Sequence, residues 1–169
     1  TLFNGTHFYG YANFSGTHFN TETPFVPKYH YGNRKYADFS GVNFHESTSF
    51  KRVKFHNEAV FDETHFNSST TPHADTGFLE VTTFNQAHFY GMTSFSHAHF
   101  HVLASFTQAN FYKFTLFSDA HFEDLTFFEG ANFEDLASFR DAHFDEQTSF
   151  KNALFRDATH FKNVHFADI

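Results

Sequence analysis

The chain has 169 residues, enough for one domain, with a net charge of −8 and no cysteine, so disulfides and thiolate metal sites are excluded. Phe and Tyr make up 22% of it while Trp is absent, and no apolar run approaches the roughly 20 residues that a membrane helix needs. Residues 118–169 hold eleven Asp/Glu against four Lys/Arg, whereas residues 1–60 hold six Lys/Arg against four Asp/Glu; a basic nucleic-acid surface is not expected, and direct nucleic-acid binding is excluded from the reading.

In chain order, the first block places Phe3, Phe8, Phe14, Phe19 and Phe25 at alternating intervals of five and six residues. The beat then breaks. The stretch to Phe39 contains VPKYHYGNRKYAD, and the spacing predicts an insertion near residues 26–37. Lys28, Tyr29, Tyr31, Arg34, Lys35 and Tyr36 concentrate positive charge and aromatic rings there, the residue types favoured as anchors in protein interfaces, so they are the candidate partner-binding loop. Phe39, Phe44, Phe50, Phe55, Phe61 and Phe66 resume the beat. A second defect falls near residues 67–77, where one Phe is missing and Pro72 is expected at the vacant face or its corner. From Phe78 to Phe166 the alternation runs without a miss.

A second rule lies two residues before each Phe, where Ala, Thr or Val stands, as in Ala87, Thr93, Ala98 and Ala104. Small, polar, Phe is the alternation of a short extended segment whose first and third side chains point inward. The polar links that follow, rich in Asn, Asp and Gly, suit turns. A helix is excluded by geometry: five residues at about 100° each place successive Phe on opposite sides. The period therefore predicts one all-β solenoid domain over 1–169.

The units AHFYG, ANFSG, ADFSG and ANFED resemble the consensus of the pentapeptide-repeat proteins, and the alternating spacing resembles the Phe-centred subgroup of that family. The resemblance implies a right-handed, four-sided parallel β-helix with one repeat on each side. The count of faces then predicts 7–8 coils, with the extra residue bulging two opposite edges. Some members of the family resemble DNA in shape and charge and bind DNA gyrase; the acidic distal part fits that alternative, and the mixed N-terminal charge does not.

Four repeats per coil put residues 22 apart above one another, which aligns His99, His121, His143 and His165 in an outward row with rungs about 4.8 Å apart. Imidazoles so spaced are candidate ligands for zinc, copper or nickel. They also predict weakening in acid, as neighbouring rings acquire like charge. No nucleophile–base, paired-carboxylate, phosphate-loop or zinc-protease motif is present, so no catalytic residue and no cofactor are assigned. The expected role is a non-enzymatic scaffolding rod that meets protein partners and associates through its ends. The chain starts and stops in register without a cap, and it lacks an initiating Met; processing or continuation beyond it is expected, and the compartment is left unassigned.

Overall fold

A computed structural model describes residues 3, 6–8, 12–13, 18–19, 36–44, 48–49, 54–55, 58–66, 70–71, 77–79 and 81–167. Among them every regular element is a strand of two or three residues, and every pairing is parallel. One coil shows the plan: Thr82–Thr83, His88–Phe89, Thr93–Ser94 and His99–Phe100 each occupy a different sheet. Four sheets result, three with seven strands and one with six among the described residues. The first wall contains His88–Phe89, the second Thr93–Ser94, the third His99–Phe100 and the fourth Thr82–Thr83. The expected all-β parallel solenoid is what forms.

Strands this short persist because each strand inside a sheet is hydrogen-bonded to a coil above and a coil below. Phe84 N–H donates to Ser105 O at 2.7 Å and Phe95 N–H to Leu116 O at 2.7 Å, both in the following coil. On the first and third walls the donors point the other way, with Asn110 N–H reaching Ala87 O at 2.8 Å and His121 N–H reaching Ala98 O at 2.9 Å.

The alternating spacing is a property of the corners. At the described short links a turn closes from the N–H of the small residue to the preceding Phe carbonyl, as in Ala109 to Phe106 at 3.0 Å and Val42 to Phe39 at 3.1 Å. Its second link residue is left-handed, with φ of 57° at Gln86, His97 and Gln108 and 63° at Gly130. At Gly130 the left-handed φ of 63° favours glycine, while Gln108, Asp119, Asp141 and Asn152 adopt the same region at equivalent corners. The long links leave the first and third walls and therefore lie at opposite corners. The small residue after a long link is often Thr, although Ala104 and Ala137 also stand there. Thr93, Thr115 and Thr126 are buried, and their hydroxyls donate to the carbonyls of Gly91, Lys113 and Asp124 at 3.2, 2.9 and 3.1 Å.

The Phe side chains fill the interior in four columns. Phe78, Phe100, Phe122 and Phe144 stack at 4.6, 4.7 and 4.8 Å, and Phe95, Phe117 and Phe139 at 5.1 Å per step. Adjacent columns meet edge to face, as Phe106 meets Phe117 at 5.3 Å and 83°. Parallel stacks along the axis and perpendicular contacts across it satisfy the ring quadrupole in both directions. Ala87, Ala98, Ala109, Ala120, Ala131 and Ala142 are fully buried between these columns.

The two breaks are absorbed differently. Across residues 67–77 the second wall continues through Thr70–Thr71, which pairs with Thr48–Ser49 and Thr93–Ser94, so one extra residue changes the step without ending the sheet. Phe61 still stacks on Phe84 at 4.7 Å; Pro72 lies outside the described residues. Around the earlier break, His18–Phe19 belongs to the third wall and Tyr36–Asp38 to the fourth. Strand therefore resumes at Tyr36, ahead of the expected limit at residue 37, and Tyr36 pairs with Glu58. Phe3 consequently stacks on Phe39 at 4.8 Å.

Candidate functional site

The interior is sealed by rings, so the chemistry of this molecule lies on its walls. On the first and third walls the residue before each Phe is His or Asn at most described positions and faces outward, whereas Ser94, Ser105 and Ser138 at this position of the second and fourth walls are nearly covered. On the third wall the register His99↔His121, His121↔His143 and His143↔His165 forms the expected row. The first two steps are stacked, at 5.0 Å and 14° and at 4.6 Å and 13°. The last is tilted, at 5.7 Å and 45°, where His165 is exposed. Parallel stacking holds the ring lone pairs side by side. For two neighbours to share a metal, the rings must turn out of the stack so that their nitrogens converge. Among the described residues no three His, Asp or Glu side chains form a group able to hold a metal ion.

Carboxylates border the row. His101 Nδ1 lies 2.9 Å from Glu123 Oε2, and Asp145 follows in the same column one coil further on. Burial lowers the His121 pKa, the flanking His143 and His99 lower it further, and Asp145 and Glu123 oppose them.

The first wall carries a second array that the sequence reading missed. His65 and His88 stack at 4.9 Å, and Tyr90 and Tyr112 stack beside them at 4.7 Å and 1°. His88 Nδ1 lies 3.3 Å from the Tyr112 hydroxyl. The signal was present as Tyr90 and Tyr112 at a 22-residue step, but the extra residue near 67–77 moved His65 out of line with His88. Burial, then His65, lowers the His88 pKa.

Both shifts have one sign. A histidine whose folded pKa lies below its ordinary 6.5 favours the neutral ring in the fold, so the unfolded chain takes up protons first. Its contribution is complete above pH 6.5 and is lost as pH falls through that value toward the folded pKa. Urea unfolding at pH of about 7.5 and about 5.5 should show lower stability in the more acid buffer, and His121→Asn with His88→Asn should shrink the difference. Asn already occupies equivalent outward positions at Asn110 and Asn132. Equal pH dependence in the variant contradicts this assignment. Asp141, held low by Asn163 and Arg140, loses its contribution only in the carboxylate range, near and below 3.8.

Of the candidate loop, Lys28, Tyr29, Tyr31, Arg34 and Lys35 lie outside the described residues; Tyr36 opens a fourth-wall strand. Among the described residues no helix is long and apolar enough to cross a membrane.

No curated protein matches the chain. The family model described as pentapeptide repeats (9 copies) matches residues 75–121 and 128–169. Solenoids of this kind commonly mediate protein interactions and are generally non-enzymatic. With registered repeats, Phe columns and four parallel walls in agreement, the chain belongs to the pentapeptide-repeat family.

Proposed function

We propose that residues 1–169 act as one non-enzymatic scaffolding domain, a rod that presents its flat walls to partner proteins and stacks end to end on a further β-coil. The observation that carries this reading is the distal aromatic layer. Phe161 and Phe166 are 41% and 47% exposed although they stack on Phe139 and Phe144 at 5.1 Å, the geometry of every interior layer. Such a layer gains the burial that its neighbours have when another coil lies on it. The basic and aromatic segment Lys28, Tyr29, Tyr31, Arg34, Lys35 and Tyr36 is the proposed lateral contact for a partner, on grounds of composition.

Negative-stain microscopy tests the end contact. Rods joined end to end are expected at high protein concentration, and Phe161→Ser with Phe166→Ser should reduce them to single short particles. Single particles from the unaltered chain would overturn end-on stacking.

A further inference from the structure

The two long corners both carry apolar residues, Val81, Leu103 and Leu125 at one, but the corner between the first and second walls differs in its charge. The residue three places after each first-wall Phe is Met92, Phe114, Leu136 and then Ala158, one per coil along the axis. Met92 is 44% exposed and Tyr90 beside it 39%. Phe114 and Leu136 are half-buried, and Ala158 is exposed. The preceding position reads Gly91, Lys113, Asp135 and Asp157, and the one before that Tyr90, Tyr112, Glu134 and Arg156. Arg156 Nε already lies 3.2 Å from Glu134 Oε2. Charge is therefore nearly balanced along this ridge. The opposite long corner carries Glu123, Asp124, Asp145 and Glu146, with His101 as its basic neighbour.

We propose that this ridge is a lateral homodimer contact, in which a second copy lies antiparallel across a two-fold axis placed between the Phe114 coil and the Leu136 coil. The order of residues along the ridge selects both the occupant and the register. With the axis there, Lys113 meets Asp135 of the second copy, and Asp135 meets its Lys113. Phe114 meets Leu136 twice. The long Met92 meets the small Ala158, and Tyr90 meets Arg156. Opposite charges face each other at the two central levels and a large side chain faces a small one at the outer levels, an arrangement compatible with an isologous contact. Moving the axis onto the Phe114 coil would set Lys113 against Lys113. The occupant also follows from electrostatics: two chains of net charge −8 repel, and this corner is where the apolar residues coincide with balanced charge. The contact uses a surface separate from the aromatic end layer.

Charge reversal on the whole chain tests this directly. Sedimentation equilibrium should give a dimer mass that dissociates as salt rises. Lys113→Asp and Asp135→Lys should each be monomeric, because each puts like charges together twice. Mixing the two variants should restore a dimer, since both carboxylates of the first variant then face the two ammonium groups of the second. The double variant Lys113→Asp/Asp135→Lys should dimerise alone. Both positions lie at a corner outside the Phe core, and circular dichroism melts check that each variant keeps the fold. A monomeric parent overturns the proposal, as do single variants that dimerise like the parent or a mixture that stays monomeric. Association abolished by Phe161→Ser/Phe166→Ser but indifferent to charge reversal also overturns it, while leaving end-on stacking intact.

Discussion

Phe117→Ala will destabilise the rod by about 3–5 kcal/mol, the range for removing a fully buried aromatic ring and leaving its cavity. Phe117 is 0% exposed. It stacks on Phe95 and Phe139 at 5.1 Å each and meets Phe106 and Phe128 edge-on at 5.3 Å each. The neighbouring rings are fixed by hydrogen-bonded strands directly before them, so they cannot close the void. In a solenoid each coil is stabilised mainly by its two neighbours, so the damage should be local before it is global. Hydrogen exchange should show protection lost first at Tyr112, Phe117 and His121, and later in distant coils. Urea unfolding reads the total. A loss below about 1 kcal/mol would mean that the ring columns do not dominate the core.

Ala109→Leu will cost about 1–3 kcal/mol although it adds apolar surface, because there is no space for the added carbons. Ala109 is fully buried, with Ala87 and Ala131 in the same position one coil to either side. Its carbonyl accepts the Asn132 N–H at 2.9 Å, and Asn110 N–H reaches Ala87 O at 2.8 Å, so the backbone cannot move aside without breaking the ladder. Asn110→Leu, one residue along and outward, is the control. Leu154 already stands in that outward column, in register with Asn132, and the change should alter stability by less than about 0.5 kcal/mol. Thermal melts of the pair should therefore separate clearly. Equal losses would contradict the inward assignment of the small residue.

Much of this was legible because one physical rule generates it. In a coil of two-residue strands, residues two apart share a side, so a small residue and a Phe bracketing a polar one can bury their side chains in only one way. The Phe columns, the alanine columns and the His99 to His165 row follow from counting. The hydroxyl contacts of Thr93, Thr115 and Thr126 with the preceding links were not legible. The Thr hydroxyl finds the carbonyl two residues before it only where the longer link presents that carbonyl. The His88 and Tyr112 contact escaped the count because the two residues lie 24 apart, off the 22-residue step, and the stack of His65 on His88 escaped it because one extra residue separates them.

The alternation of five and six residues determined by itself that the chain coils, that aromatic rings fill the coil and that the repeats are strands rather than helix. Repetition makes a local preference recur until it specifies the whole. Only the tertiary structure decided which residues share a corner, that strand resumes at Tyr36, and that His99, His121 and His143 stack in parallel rather than converge. Those relations depend on how coils align across links of unequal length, and one residue gained or lost there displaces every contact that follows.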